Sequence, residues 1–398
     1  MAGKAQNRQS GTRKHVPDRP LEPLSIPGGC THIDGSILEG GGQILRNAAA
    51  LAAITGTSIH VDNIRAGRKK PGLRPQHLAG LGLIAKISGG ALQGGQENSS
   101  AIVLQPGRLQ CRNALGDTGT AGSCALLAQA ALPCLLYAVP EPSSAESSKA
   151  SVLELRGGTD AAMAPSIGYL QHVLLPMLRH LFGLTLDLQL ERRGFYPQGG
   201  GRAALMVQSL VPGSSLAAFD LTERGSVTGI TVRAFQAGQM KPDVAERMAS
   251  AAVTALQKGW PHDAELRKEV VHEPKAWAVG TGSGILVTAV TSTALVLGRG
   301  VPAERGRAAQ DIGEQAASEL LGDLHSGLCV DDWMQDQLII FMALAQGTSR
   351  MSCGEPTLHT RTAMTVAEMM TTAKFTVKPP KGERQHWLIE CVGAGISV

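Results

Sequence analysis

The chain has 398 residues, 43% of them hydrophobic and 18% charged, which is ordinary for a soluble globular protein and long enough for two domains. Residues 1–20 carry five basic side chains against one acidic, so the net charge of +4 belongs to the N-terminus and the rest is balanced. This balance excludes a general polyanion-binding surface, and the four Trp, three Tyr and six Phe are too few to stack many bases.

Membrane insertion and a disulfide framework are also not expected. The longest apolar stretches, residues 125–139 and 284–298, are shorter than the ~18 residues that span a bilayer, and no signal-peptide pattern opens the chain. The seven cysteines are scattered, odd in number and include no CxxC pair, which argues against disulfides and against a zinc site. The sequence therefore suits a reducing compartment.

In chain order, residues 1–30 are polar, basic and rich in Pro and Gly, and they predict a disordered tail. From Ile33, short β-like runs alternate with longer helical runs, which predicts an α/β or α+β fold. The strands predicted in the first half are residues 58–64, 102–105, 184–190 and 203–207, and the helices are 75–87 and 160–182. Residues 140–151, rich in Ser and Pro, predict a surface loop.

The pattern changes after Val211. Residues 229–235 and 284–297 predict strands there, and residues 244–258 and 303–321 predict helices. We therefore predict a small inserted domain, residues 217–325, within a large domain formed by residues 31–216 and 326–398. Glycine-rich segments recur at residues 39–42, 156–159 and 198–202, which suggests that the large domain repeats a sheet-plus-helix unit.

Two segments in the first quarter together favour phosphate chemistry. Glu39 is followed by three glycines and then by Arg46, while residues 65–74 hold five cations and no carboxylate. Glycines let backbone N–H groups approach an anion closely, although a tight turn beside a solvated basic face would give the same patterns separately. No Walker A loop is present, and the dinucleotide-like pattern at residues 199–204 leads into a predicted strand.

A convincing amphipathic helix is predicted over residues 331–345, capped by the Asp331–Asp332 pair. Trp333, Asp336 and Gln337 stand at i, i+3 and i+4, so they share one face of it. An aromatic ring, a carboxylate and an amide on one face could stack on a purine and hydrogen-bond it. The alternative is an amphipathic helix with a polar edge.

The polar alternation of residues 357–363 predicts a strand on which Thr357, His359 and Arg361 point the same way. A neutral imidazole can attack a phosphorus atom, and a neighbouring cation can offset the charge of the transition state. His359 and Arg361 are therefore candidates for these two tasks. A lone histidine in a strand with a structural role is the alternative.

Together these motifs resemble the RNA 3′-terminal phosphate cyclase family, in the family's order and from about residue 33 onwards. The matching segments are residues 34–46, 64–68, 71–77, 120–123, 157–165, 194–201, 221–225, 335–345 and 358–362. The resemblance implies a large domain of repeated sheet-plus-helix units, like the enolpyruvyl transferase architecture, with a smaller inserted α/β domain. It also implies three steps, namely a covalent histidine–AMP made from ATP, an RNA–adenylate, and closure of a 2′,3′-cyclic phosphodiester with release of AMP.

By position, the resemblance implies His359 as the adenylylated nucleophile and Glu39 as a ligand of Mg²⁺ or Mn²⁺. The residues it implies for the ATP site are Gln129, Pro165, Trp333, Asp336 and Gln337. Those it implies for the triphosphate or the RNA-end phosphate are Arg46, Arg65, Arg68, Gln76 and His77. The sequence departs from the family at Trp333, where Tyr or His is expected, and at Asp160, where Asn is expected. The basic tail and the Ser-rich loop have no counterpart in the family core.

The implied partners are ATP and RNA 3′-phosphate ends, without a membrane, and a homodimer is left open. The basic tail favours the nucleus (nucleoplasm), with the cytoplasm as the alternative. One rival is a non-catalytic, cyclase-like factor of pre-rRNA processing and ribosome biogenesis, a branch that lacks the nucleophilic histidine. An enolpyruvyl transferase is the other, and the helix over residues 335–345 and the His359 segment argue against it. A catalytically inactive paralogue also fits the sequence.

Overall fold

The computed structural model describes residues 24–140, 150–241, 243–260, 263–382 and 385–398. The predicted tail lies outside the described residues up to position 23, and its remainder, residues 24–30, runs as a loop in which Ser25 N–H donates to Gln93 Oε1 at 2.9 Å. Residues 141–149 of the predicted Ser-rich loop also lie outside the description, while Ala150 and Ser151 belong to a strand. No helix in the described parts of the chain has the length and apolarity needed to cross a membrane.

The first sheet of the fold combines one parallel and two antiparallel strand pairs. Its elements are β1 (Thr31–Asp34), α1 (Gly42–Thr55), β2 (Ile59–Asp62), α2 (Pro75–Ser88), β3 (Ala91–Gln93) and β4 (Ile102–Gln105). The strand order is β1-β2-β4-β3, with β1 and β2 parallel and the other neighbours antiparallel. Helices α1 and α2 end at Gly56 and Gly89, whose left-handed backbone stops a helix at little steric cost.

The same order of elements recurs in the second sheet. Its elements are β5 (Ala114–Asp117), α3 (Cys124–Leu136), β6 (Ala150–Gly157), α4 (Ile167–Tyr169), a π-helical turn (Leu170–Leu174), α5 (Leu175–Phe182), β7 (Leu186–Gly194) and β8 (Gly201–Gln208). The strand order β5-β6-β8-β7 repeats the first sheet, with β5 and β6 parallel, and a short fifth strand, Ala278–Val279, pairs with the free edge of β7. The predicted helix over residues 160–182 thus begins only at Ile167, because residues 160–166 form a loop.

A third copy of this order is interrupted after its first strand by another sheet. It consists of β9 (Asp220–Leu221), α8 (Asp332–Leu344), β15 (Thr348–Cys353), α9 (Leu358–Met370), β16 (Lys374–Lys378) and β17 (Trp387–Val392), in the strand order β9-β15-β17-β16. The interrupting elements are β10 (Val227–Ala237), α6 (Val244–Gly259), β11 (Glu265–Glu273), β12 (Ala278–Val279), β13 (Gly282–Thr291), β14 (Val296–Pro302) and α7 (Ala309–His325). The described residues therefore contain three units of strand–helix–strand–helix–strand–strand, and the α+β architecture is confirmed.

The sheet β11-β10-β13-β14 and the helices α6 and α7 enclose an apolar core of their own, as the buried Val232, Ala249 and Leu320 show. The domain boundaries at residues 217 and 325 stay a prediction, and β9, inside that range, pairs with β15 of the third unit. The resemblance to the enolpyruvyl transferase architecture also stays a prediction.

One of the predicted elements is wrong. Residues 357–363 do not form a strand, because Thr357 caps the N-terminus of α9 and its side chain accepts from the Thr360 N–H. The threonines that looked like an alternating strand pattern instead bond within the helix, as when Thr362 Oγ1 donates to Leu358 O at 2.7 Å. The predicted helix over residues 303–321 is displaced to Ala309–His325, whereas the strand over residues 102–105 is confirmed.

Helices of all three units pack on one another in the main core. Helix α1 contacts α2, α3 and α9, and α8 contacts both α3 and α9. The run of buried alanines from Ala48 to Ala50 leaves α1 narrow enough to be surrounded in this way. Helices α1, α2 and α9 each follow a strand of a parallel pair, and α8 follows α7 at the corresponding place of the third unit, so this packing brings their N-termini to one place.

Candidate active site

The first turns of these helices border one open cavity of about 380 Å³. Gly42 opens α1, Gln76 and His77 stand at the start of α2, Trp333 at the start of α8, and Leu358 and His359 at the start of α9. Unsatisfied N–H groups and the helix dipole make each helix N-terminus attractive to anions. Several such N-termini around one cavity therefore suit a ligand that carries several phosphates.

Most of the predicted site residues lie around this cavity. Those that line it are Glu39, Arg46, Arg68, Gln76, His77, Gln129, Pro165, Trp333, Asp336 and His359. Three predicted residues, Arg65, Gln337 and Arg361, do not line it. Four that the sequence analysis missed, Gln43, Leu126, Met163 and Leu358, do line it. The individual roles of the predicted residues stay predictions.

Glu39 is the centre of a contact network at the mouth of the cavity. Its Oε2 lies 3.5 Å from Nδ1 of His359, and its Oε1 lies 2.6 Å from Nη2 of Arg68. The Glu39 N–H donates to Thr362 Oγ1 at 3.3 Å, which ties this loop to α9. The loop of the first unit and the helix of the third unit therefore hold the carboxylate against the imidazole.

Glu39 and His359 each affect the ionisation of the other. Burial opposes ionisation of Glu39, but the hydrogen bond and charge of His359, with Arg68 and Arg46, outweigh it and lower the pKa of Glu39. The hydrogen bond that His359 donates to the Glu39 carboxylate raises the pKa of His359 above its ordinary value, against partial burial. The carboxylate therefore stays ionised and directs the Nδ1 proton of His359 toward itself.

The three consecutive glycines predicted to approach an anion each have a visible steric reason. Gly40 has a left-handed φ of 55°. A Cβ at Gly41 would lie 2.0 Å from Glu39 Oε1, and a Cβ at Gly42 would lie 2.8 Å from His77 Nε2 and 2.9 Å from Arg46 Nη1. The glycines therefore leave room for the side chains that surround the cavity.

His77 presents a hydrogen-bond donor to the cavity. Its Nδ1 accepts from the Arg74 N–H at 3.2 Å, so the proton of the neutral ring must sit on Nε2. Burial, followed by the charges of Arg65 and Arg46, lowers the pKa of His77 to about 4, so the ring is neutral near pH 7. Because a Cβ at Gly42 would meet Nε2 and Arg46 together, both groups face the same space.

Gln43 lies between Arg46 and Asp336 and forms a hydrogen bond with each of them. Arg46 Nη2 donates to Gln43 Oε1 at 2.5 Å, and Gln43 Nε2 donates to Asp336 Oδ2 at 3.4 Å. Burial raises the pKa of Asp336 to about 7, although the charge of Arg46 acts in the other direction. The buried Nε of Arg46 has no hydrogen-bond partner among the described residues, which leaves a donor for an anionic ligand.

Two contacts fix Trp333 at the edge of the cavity. Its ring meets Tyr169 edge to face with centroids 5.1 Å apart, and the backbone N–H of Trp333 donates to the Asp331 carboxylate that caps α8. Tyr169 in turn donates to Asp331 Oδ1 at 2.7 Å. Burial, countered in part by these hydrogen bonds, raises the pKa of Asp331 to about 6. Trp333 and Pro165 both line the cavity, where a planar base could lie against them.

Buried Gln335 anchors the N-terminus of α9 to α8. Its Oε1 accepts from the Thr357 N–H at 3.0 Å and from Thr360 Oγ1 at 2.6 Å, and its Nε2 donates to Gly354 O at 3.2 Å. Since His359 lies between these two threonines, the amide sets the position of the imidazole. The sequence analysis considered only the face of α8 that carries Trp333 and Asp336. Gln335 lies on a different face, so its role as an anchor was not predicted.

Three residues predicted for the site, two arginines and one glutamine, have other contacts. Arg65 donates to the carbonyls of Lys70 and Gly72, and Gln337 Nε2 donates to the Trp333 carbonyl at 2.8 Å. Arg361, the predicted cation beside His359, donates to the Pro356 carbonyl and lies 5.9 Å from the Trp387 ring centroid, outside the cavity lining. The cation whose charge acts on the imidazole is Arg46, and both Arg46 and Arg68 line the cavity.

A divalent metal fits the donor set at Glu39. Apart from its 3.5 Å contact with His359 Nδ1, the buried Oε2 has no hydrogen-bond partner among the described residues, and the side chain is only 11% exposed while it borders the cavity. No cluster of three His, Cys, Asp or Glu within the described ranges could hold a metal alone. Mg²⁺ commonly binds through one or two carboxylates plus substrate phosphates, which one carboxylate beside an anion cavity allows.

The comparisons with known proteins agree with this geometry. A profile of the RNA 3′-terminal phosphate cyclase family matches residues 37–377. The chain belongs to this family. It is 39% identical over 363 residues to the RNA 3′-terminal phosphate cyclase of Drosophila melanogaster, which covers 91% of this chain and 96% of that protein. The proteins of the same name from Pyrobaculum aerophilum and Pyrococcus furiosus are 39% and 38% identical, over 91% and 88% of this chain and 98% and 96% of theirs.

Proposed function

We propose that the protein converts an RNA 3′-terminal phosphate into a 2′,3′-cyclic phosphodiester at the expense of ATP, which it cleaves to AMP and pyrophosphate. Membership of the cyclase family and the printed names of its relatives support the reaction class. The single observation that carries the mechanism is the pairing of His359 with the ionised Glu39 at the mouth of a cationic cavity.

The first step forms a bond between His359 and the α-phosphorus of ATP. Glu39 takes the hydrogen bond of Nδ1–H, which leaves the lone pair of Nε2 for the attack. As the Nε2–phosphorus bond forms, the bond to the β-phosphate oxygen breaks and pyrophosphate leaves. Arg46, Arg68 and the Nε2–H of His77 offset the negative charge that gathers on the leaving group.

Two transfers then complete the reaction at the same phosphate subsite. An oxygen of the RNA 3′-phosphate attacks the phosphorus of AMP, the nitrogen–phosphorus bond breaks, and His359 is regenerated. The vicinal 2′-OH attacks the activated 3′-phosphorus, AMP leaves with its bridging oxygen, and the hydroxyl proton passes to solvent. Positioning and charge stabilisation account for most of phosphoryl-transfer catalysis, and the cavity offers mainly these.

Glu39 would hold Mg²⁺ or Mn²⁺ against the phosphates. A bound metal supplies positive charge for the phosphates and the leaving group. The adenine would lie between Trp333 and Pro165, with Gln129 and Asp336 as hydrogen-bonding partners and Gln337 supporting the Trp333 turn. A Trp in place of Tyr or His keeps the stacking surface and removes a hydroxyl hydrogen bond.

A non-catalytic ribosome-biogenesis factor of the same fold is less well supported, because His359 is present and borders the cavity. The curated relatives named above are called cyclases. A nuclear location and a homodimer, like the reducing compartment, stay predictions.

Transfer of label from α-³²P-ATP to the protein with Mg²⁺ tests the proposal, with His359→Ala beside the wild type. We expect acid-labile, base-stable label on the wild type alone. His180→Ala, which removes another exposed histidine on α5, is the matched control and should be labelled like the wild type. Label on neither the wild type nor His180→Ala, with folded protein and intact ATP, would overturn the covalent mechanism. Label on His359→Ala would show a different nucleophile.

A further inference from the structure

The loop between β2 and α2 presents two lysines that the structure does not use for internal contacts. Lys69 and Lys70 are exposed, and neither ammonium group forms an ion pair with a carboxylate in the described parts of the chain. The arginines of the same loop are all engaged: Arg68 contacts Glu39, and Arg74 contacts Glu97. The positive charge of the loop that has no carboxylate partner therefore lies on two adjacent side chains, Lys69 and Lys70.

Hydrogen bonds to backbone groups hold the loop that carries these lysines. Arg65 Nη1 donates to the Lys70 carbonyl at 2.6 Å and to the Gly72 carbonyl at 3.1 Å. The Gly72 N–H donates to the Ile64 carbonyl at 2.8 Å and so closes the loop. Arg65, predicted to contact phosphate, here acts as a clamp whose hydrogen bonds keep residues 65–72 in one conformation.

The loop that carries Lys69 and Lys70 lies beside the part of the cavity that contains Glu39 and His359. Arg68 lines the cavity and lies 2.6 Å from Glu39, whose other oxygen faces His359 at 3.5 Å. Lys69 and Lys70 follow Arg68 directly on the exposed side. A substrate whose terminal phosphate reaches His359 therefore has cations available immediately outside the cavity.

We infer that Lys69 and Lys70 bind the backbone phosphates of the nucleotides just before the RNA 3′ end. The inference rests on the proposed function, and it gives the direction in which the RNA leaves the cavity. Outside the first 20 residues the chain carries no net charge, so a local pair of unpaired cations matters more than the general field. Lysine is suited to this task, because its flexible point charge follows phosphates without fixing the base sequence.

Direct binding of a 5′-fluorescent ten-nucleotide RNA with a 3′-phosphate, measured from 50 to 200 mM KCl on the full chain, tests this inference. Each phosphate contact on a single strand contributes about 0.7 to the slope of log affinity against log salt. We expect the double variant Lys69→Ala/Lys70→Ala to reduce the magnitude of that negative slope by about 1.4. Its affinity for the RNA at 50 mM salt should be about tenfold weaker than that of the wild type. Uridine 3′-monophosphate has no bridging phosphate. In competition with the RNA, it should therefore show the same dissociation constant for wild type and variant.

Two further variants serve as controls. Lys86→Ala removes an exposed lysine that lies on α2, about 16 Å from the start of that helix, and should keep the wild-type slope. Lys69→Arg/Lys70→Arg keeps both charges and should also keep it. A wild-type slope in the double alanine variant would overturn the inference. Adenylylation of the same preparations separates the two proposals, because its absence from the wild type would remove the cyclase mechanism, whatever the salt slope.

Discussion

At the scale of single residues, Asp336 should make stability depend on pH. Burial raises its pKa to about 7 in the folded state, whereas the unfolded value is near 3.8. The folded state therefore holds a proton that the unfolded state has lost, and the stability contributed by Asp336 falls as pH rises from about 4 through 7. The limiting slope for one group is about 1.4 kcal/mol per pH unit.

Asp336→Asn removes this titration. Urea denaturation at pH 5 and pH 8 should show that the variant gains about 1–3 kcal/mol relative to wild type at the higher pH. The amide keeps the size of the side chain, so packing should change little. The same difference from wild type at both pH values would mean that Asp336 is ionised throughout and that Arg46 outweighs its burial.

Gly41 offers a test of the Glu39 carboxylate that changes its position and leaves its chemistry unchanged. A Cβ at position 41 would lie 2.0 Å from Glu39 Oε1, so Gly41→Ala must displace the group from Arg68 and His359. We expect adenylylation by α-labelled ATP to slow by about 10- to 100-fold, since small misplacements of reacting groups cost that much. Gly67→Ala, with open space at its Cβ, is the matched control. An equal rate in both variants would show that the position of Glu39 is unimportant.

At the scale of elements, the attachment of α9 to α8 should matter for both stability and chemistry. Gln335→Ala removes three hydrogen bonds, one of them fully buried, and leaves the Thr357 N–H and the Gly354 carbonyl without this partner. We expect the free energy of unfolding, measured in urea, to fall by about 2–4 kcal/mol and adenylylation to slow in the folded protein.

The control for this variant is Gln315→Ala on α7, whose amide makes only solvent-exposed hydrogen bonds. It should change the free energy of unfolding by less than about 0.5 kcal/mol. Wild-type stability in Gln335→Ala would show that the Thr357 cap alone holds the start of α9.

The start of α9 also shows where the sequence was informative and where it was not. His359, the nucleophile candidate, lines the cavity, yet the seven residues around it, 357–363, predicted the wrong element. Period-2 alternation over so short a window cannot outweigh an N-cap such as Thr357 followed by the helical run to Met370. By contrast, α8 carried a cap and a full apolar stripe, so its predicted bounds and the face of Trp333 and Asp336 agree with the structure.

At the scale of the whole molecule, the cavity exists only because three repeated units pack through their helices. Glu39 and His77 come from the first unit, Gln129 from the second, and His359 from the third. Gln43 was missed for the same reason, since its role depends on how α1 packs against α8 and not on any local pattern. The recurrent glycines predicted the repeat, but long-range packing of this kind leaves no periodic signal in one chain.

This assembly predicts how nucleotide binding should spread through the molecule. Hydrogen exchange with and without Mg²⁺ and an α,β-methylene analogue of ATP, which cannot transfer AMP, measures protection in each helix. Because phosphates and base would bind against the first turns of helices from all three units, exchange should slow together at the starts of α1, α2, α3, α8 and α9. Helices α6 and α7, which do not line the cavity, provide the internal control. Protection confined to α8 and α9 would contradict a site built from three units and would restrict nucleotide binding to the unit that carries His359.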